Sequence, residues 1–385
     1  MGYRFFSTIL GNNLLTLLVV VLTCTYNSYG QYKKERVPFS YQPQQVDISL
    51  EGFYDLTDAL PDNYVKDGSQ DYTKYIQKAL DTHTRVRFPD FIIGVQGVYP
   101  KSNSILYFQA NSTLKLMPTD RSRYQVLGLH GVENVKIYNA NIEGDLDNHL
   151  GTKGEWGFGI DIRSSRNIEL YNTQVSATWG DGLIVASGPK GIRDDVENLY
   201  ATSNIFIKNI GVDYARRNGI SIINGDGIKI ENATIANVYK TAPKAGIDIE
   251  PDNKKGVLDN VDLKGITVYN SGIGLDLHLV HFTSEKEHKR FNLIVEGFDM
   301  ISTSTGIYLA GYRNYHNLKE IKGAATFKNI TTKNVLKPFV KRPQYSLYPQ
   351  INVNGFKVLN SEGKTQNSNR LLKFIADTTK LKITN

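Results

Sequence analysis

The sequence predicts an all-β fold, a single-stranded right-handed parallel β-helix with an N-terminal capping helix. The first observation behind this is a recurring glycine. Gly159, Gly182, Gly219, Gly246, Gly274 and Gly306 each open a short apolar–x–apolar strand, as stacked equivalent coils require. The second is a register of corners. Segments starting at Asn134, Asn167, Asn204 and Gly227 each end five residues later at an asparagine, Asn139, Asn172, Asn209 and Asn232, and the next copy, from Asn260, puts Gly265 there. Asparagine tolerates the left-handed backbone of a tight corner, and like amides one strand spacing apart can hydrogen-bond into a ladder. The starts lie 33, 37, 23 and 33 residues apart, so the shortest interval approximates a bare coil and the longer ones carry loops. Third, 33 Gly and 23 Tyr with 40% hydrophobic residues lack the Leu/Ala/Glu/Lys excess of a helical protein.

The elements follow in order. Residues 1–30 read as a signal peptide: Arg4 precedes the apolar run Leu14–Leu22, Ser28 and Gly30 are small, and cleavage is expected before Gln31. That run is too short for a stable membrane span, so a secreted or periplasmic location is expected. Cys24 is the only cysteine, and the mature chain is therefore expected to stand without a disulfide. Residues 31–60 form a polar leader, and residues 61–385 the β-helix domain, with its N-terminal cap at about 67–90. In that cap Tyr72, Tyr75, Ile76 and Leu80 share one face of an amphipathic helix, with Ser69 or Asp71 as N-cap. Arg85–Phe88 reads as the first strand after it. The repeat weakens after 340, and Leu371–Ile375 is the expected closing element.

The formal charge of +7 is spread along the chain with no long basic run, which argues against nucleic acid and for a mild preference for anionic partners.

The cap segment Asp67–Thr73, followed by Ile76–Leu80 and Val86–Pro89, is similar to the entry segment of the pectin-lyase-like β-helix superfamily, whose members include polygalacturonases, rhamnogalacturonan hydrolases, polysaccharide lyases, alginate epimerases and phage tailspikes. The resemblance covers roughly residues 60 to 310 and implies a polysaccharide substrate. Polygalacturonases place catalytic carboxylates and a histidine just before the strand glycine. Here those positions hold Phe158, Asp181 and Asn218, and Gly180 stands where a paired aspartate would precede Asp181. The resemblance therefore implies the scaffold without that family's complete catalytic set.

Strand alternation supplies other candidates. With the first and third residues after each glycine turned inward, the second and fourth form one outward face, which this reading takes to be exposed. It includes Asp161, Asp248, Glu250, Asp276 and His278, while Asp181, Trp179, Arg216, Arg217 and Lys244 approach from the preceding turns. Neighbouring coils lie roughly 4.8 Å apart, so Asp248 and Asp276 should be adjacent and Asp181 two rungs from Asp248. Carboxyl pairs at such spacings suit glycoside hydrolysis, and crowding raises one pKa as a general acid requires. Asp181, Asp248 and Glu250 are the catalytic candidates. Asp161, Trp179, Arg216, Arg217, Lys244, Asp276 and His278 are the substrate-binding candidates, with the arginines matched to an anionic sugar. For each single acid the competing reading is a solvated surface charge, and for the arginines a structural ion pair.

The function expected is hydrolysis of a glycosidic bond in an anionic polysaccharide, needing no cofactor and no metal. His278 and His281 with Asp276 match no compact zinc spacing. Two other readings stand beside it. A lyase or epimerase would use Lys244, Arg217 or His278 as base and hold calcium on the outward acids; a non-catalytic glycan-binding β-helix would need only the aromatics and arginines.

Overall fold

The structure, a computed structural model, describes residues 34–37, 44–188, 196, 199–312, 318–342, 348–366 and 382–384, all within the compact unit Lys34–Asn385. The expected signal peptide, residues 1–30, and the expected closing element, residues 371–375, lie outside the described residues. Among the described residues no helix is long and apolar enough to cross a membrane.

The strands pair in parallel, coil upon coil. One sheet takes eight strands, from Arg123–His130 through Trp156–Arg163, Leu183–Ala186, Ile220–Ile222, Ala245–Ile249, Ile273–His278 and Thr305–Ala310 to Lys337–Lys341. The other takes sixteen, and its long strands, such as Arg166–Ser176 and Ser203–Asp213, bend at the asparagines singled out above. Asn139, Asn172, Asn209 and Asn232 have φ between 54° and 60°, and Gly265 has 65°. The amide ladder forms there: Asn172 Nδ2 donates to Asn139 Oδ1 at 2.8 Å, and Asn232 Nδ2 to Asn209 Oδ1 at 2.7 Å. A second ladder runs along the strand starts, with Asn134 donating to Asn103, Asn167 to Asn134 and Asn204 to Asn167.

Inward positions stack in register. Ile160, Leu183, Ile220, Ile247 and Leu275 form one file, each fully buried. Burying each such side chain contributes about 1.5–3 kcal/mol, which is how a chain with so few options for cross-linking holds its coils together.

Crowding between the sheets explains the recurring glycine. A Cβ on Gly219 would lie 2.3 Å from Ile235 Cγ2 and 2.6 Å from the Gly246 carbonyl oxygen; on Gly182 it would lie 2.3 Å from Val212 Cγ1. The two sheets meet at this glycine file, and no side chain fits there. Gly219→Ala is accordingly expected to destabilise the fold by about 1–3 kcal/mol through overpacking, measured as a lower denaturation midpoint. An unchanged midpoint would show that the corner can open.

The cap helix spans Thr73–Thr82, later than the sequence reading placed it. Ser69 is not its cap, because residues Asp67–Asp71 form a strand. Asp71 is not the N-cap either, a position held by Tyr72 without a side-chain bond, but its carboxylate accepts the Thr73 backbone N–H at 2.9 Å just before the helix. Tyr72, Ile76 and Leu80 are fully buried in the main core, and Tyr75 packs against it. Arg85–Phe88 is a strand, as expected, and pairs with Tyr54–Asp55, so the polar segment contributes to the stack from Tyr54 onward. Earlier in that segment the backbone N–H and C=O of Val46 both bond the Asn139 amide, and those of Glu35 both bond the Asn237 amide.

Candidate active site

The outward positions of the eight-stranded sheet form two rows. One runs Asp161, Ile184, Ser221, Asp248, Asp276, Tyr308. The other, two residues further along each strand, includes Arg163, Ala186, Ile223, Glu250, His278 and Ala310. Asp248 and Asp276 are direct register partners. The expectation of an exposed face is corrected here: Asp161, Asp181, Asp248 and Asp276 are 1%, 0%, 0% and 3% exposed. Strand alternation sets which way a side chain points, but not whether water reaches it. In mid-row Ile184, Ala186 and Ile223 join Phe158 in an apolar cluster of their own outside the main core.

Arg217 organises the polar part of this face. Its Nη1 bonds both Asp181 oxygens at 3.0 and 3.2 Å, its Nη2 lies 3.8 Å from Glu250 Oε2, and its Nε lies 3.7 Å from Glu155 Oε2. The intervening coil links the two buried acids. Ser221 Oγ donates to Asp181 Oδ2 at 2.8 Å, the Asn218 N–H donates to Asp181 Oδ1 at 3.1 Å, and Asn218 Nδ2 donates to Asp248 Oδ2 at 2.8 Å. Asn218 is itself held by the Ala245 N–H, which donates to its Oδ1 at 3.0 Å. His278 Nδ1 sits 3.5 Å from Glu250 Oε1.

Four carboxyls and one guanidinium cannot all be charged in so dry a place. Burial pushes Asp248 well above the usual carboxylate range, and Asp276 and Glu250 add to the push. Burial and Glu250 raise Asp276 to about 7. Burial raises Glu250 as well, against the pull of Arg217. Asp181 is also raised by burial, but Arg217, Ser221 and the Asn218 N–H oppose this. Asp181 is thus the best equipped of the four to stay anionic. Asp248 Oδ1 and Asp276 Oδ1 are buried without a hydrogen-bond partner, as suits carboxyls that carry the protons. Burial lowers His278 to about 4, so it is neutral at pH 7. Of the predicted acids, Glu250 offers the most surface, with 26% of its side chain exposed.

Several predicted residues stand elsewhere. Asp161 belongs to a separate buried ion pair, with His130 Nε2 at 3.1 Å and Arg163 Nε at 3.2 Å, and the apolar cluster divides it from the acids. Burial would raise its pKa, but Arg163 and His130 hold it below the ordinary value. Arg216 points away from the carboxylates. Its guanidinium lies 3.9 Å from the Trp179 ring centroid, and its Nη1 donates to the Gly154 carbonyl. The opposite stacking partner of Trp179 is His149, at 3.9 Å, and its Nε1 is bonded to Gly154 as well. An indole with these partners is a structural element rather than a platform for sugar. Lys244, half-buried, makes none of the hydrogen bonds or ion pairs described here around Arg217. The sequence reading missed Asn218 and Ser221 as site residues, although both were visible in the register, and had no signal for His130 or Glu155.

No family model matches the sequence. Among curated proteins, the chain is 31% identical over 215 residues to the uncharacterized protein YclG of Bacillus subtilis (strain 168), covering 48% of this chain and 36% of that protein. It is 26% identical over 170 residues to the SPbeta prophage-derived uncharacterized protein YorA of the same strain, covering 42% and 29%. The matches thus span about a third of the length of these relatives. Among solved structures, the polygalacturonase of Erwinia carotovora ssp. carotovora aligns with a TM-score of 0.57 at 14% identity, over 83% of this chain and 96% of that one. The iota-carrageenase of family GH82 from A. fortis aligns with a TM-score of 0.56 at 13% identity, over 78% and 76%. With parallel coils among its described residues and these alignments over most of its length, the chain has the right-handed parallel β-helix fold.

Proposed function

We propose that the protein hydrolyses a glycosidic bond in an anionic polysaccharide by carboxylate acid/base catalysis. The observation that carries this reading is the crowding of Asp181, Asp248, Glu250 and Asp276 about Arg217, which retains protons on carboxyls near neutral pH beside a surface-reaching Glu250. A general acid for a leaving alkoxide needs this property. Glu250 meets the sugar, Asp248 and Asp276 hold protons behind it, and Asp181 fixes Arg217 through Nη1. The substrate class is supported by the polysaccharide-cleaving proteins that share the fold, and its anionic character by the +7 formal charge.

The test is incubation of the purified protein with uronic-acid, sulfated and neutral polysaccharides, followed by assay of the products. New reducing ends without unsaturated sugars, on an anionic polymer, are expected. Unsaturated products would move the function to a lyase, and binding without cleavage to a glycan-gripping protein.

A further inference from the structure

We propose that Glu155 is a catalytic residue, the base that activates water, working opposite Glu250 as the acid. This deepens the hydrolase reading and rests on it. A polysaccharide must touch both catalytic carboxyls, and Asp181 and Asp248 are fully buried. Around Arg217 the two acids that reach the surface are Glu155, with 49% of its side chain exposed, and Glu250, with 26%. They approach one guanidinium from two of its nitrogens, at 3.7 Å from Nε and 3.8 Å from Nη2. Because that group is small and planar, the two carboxylates are held within about 10 Å of each other. That bound admits the separation of about 6.5–9.5 Å at which a water fits between base and sugar, the geometry of inversion.

Two further features single out Glu155. The Arg217 Nε–H is buried and lacks a hydrogen-bond partner, so the Glu155 carboxylate is the acceptor nearest at hand for it once the site tightens around substrate. In addition, the position before Asp181 is closed to any side chain. A Cβ on Gly180 would lie 2.4 Å from the Glu155 carbonyl oxygen and 2.8 Å from the Gly157 nitrogen. The segment that carries Glu155, just before the strand Trp156–Arg163, fills the space a paired aspartate would need, and brings its own carboxylate to the same arginine. The Gly154 carbonyl anchors that segment by accepting from Trp179 Nε1 and Arg216 Nη1 at 3.1 and 2.9 Å.

In the reaction, the Glu250 carboxyl gives its proton to the glycosidic oxygen as the bond from that oxygen to the anomeric carbon breaks. The Glu155 carboxylate takes a proton from the water whose oxygen bonds that carbon from the opposite face. One water is consumed, the new hydroxyl is inverted, and proton exchange with solvent restores both acids.

The experiment compares the parent protein with Glu155→Gln and Glu250→Gln on the polymer cleaved in the screen and on an aryl glycoside of the same sugar with a good leaving group. The anomer first released by the parent is read by NMR. Glu155→Gln is expected to lose at least about a hundredfold in kcat on both substrates with KM little changed. Glu250→Gln should be spared on the aryl glycoside, whose departure needs no acid. The parent should invert. Should Glu155→Gln fold poorly, Glu155→Asp keeps the charge but withdraws the carboxylate by one methylene. It is expected to lose kcat with a parent-like melting curve. Parent-like kcat in either variant, or retention of configuration, overturns the role of Glu155 while leaving hydrolysis standing. No cleavage of any polysaccharide by the parent overturns the hydrolase reading, and this inference with it.

Discussion

Glu250→Gln should lower turnover on the polysaccharide by about 10²–10⁴, the range for loss of a general acid or base, with the fold intact. Glutamine keeps the shape and the contact with Arg217, but has no proton to deliver. The residue directly follows the strand Ala245–Ile249, and no inward file depends on its side chain. A pH profile supplies a second readout. Burial and Glu250 raise Asp276 to about 7, so the proton on Asp276 is held below that pH and lost above it. The kcat of the parent should therefore fall as pH rises through about 7, and Asp276→Asn should displace that limb. Activity of Glu250→Gln within a few-fold of the parent would remove Glu250 from the mechanism.

Arg217→Ala should cost about 3–5 kcal/mol of stability, the penalty for stripping the partner from a buried charge. The sequence reading treats Arg217 as a clamp on an anionic sugar, whose loss would mainly raise KM. Its side chain is only 15% exposed, and it faces an Asp181 side chain at 0%. Truncation therefore leaves a buried carboxylate with Ser221 and the Asn218 N–H but no cation. Asp181→Asn in the Arg217→Ala background should recover much of the loss, a coupling that a double-mutant cycle measures as non-additivity. A parent-like denaturation midpoint with only a raised KM would restore the clamp interpretation.

The fold was legible because a β-helix repeats its instructions. Glycine at Gly159, Gly182, Gly219 and onward, asparagine at Asn139, Asn172, Asn209 and Asn232, and aliphatic residues at alternate positions each recur at the interval of one coil, so every rung confirms the next. The site was legible only in part. Alternation and register put Asp248 beside Asp276 and Asp181 two coils away, which the strand pairing bears out. Nothing in the alternation could show that these acids are dry, or that Ile184, Ala186 and Ile223 isolate Asp161 from them.

Loop-borne residues were the least legible. Arg216 and Arg217 are adjacent in sequence, yet one lies on Trp179 and the other on Asp181, because they sit in a bend between strands, where no alternation sets the side-chain directions. Glu155 reaches Arg217 across 62 positions only because Gly180 leaves room for the segment that carries it to pass. The sequence by itself determined the coils, their corners and the direction of every strand side chain, since those follow from local periodicity. Which acids are buried, which share protons and which meet a substrate was decided by the tertiary structure, because burial and electrostatic coupling depend on what distant segments place within a few ångströms.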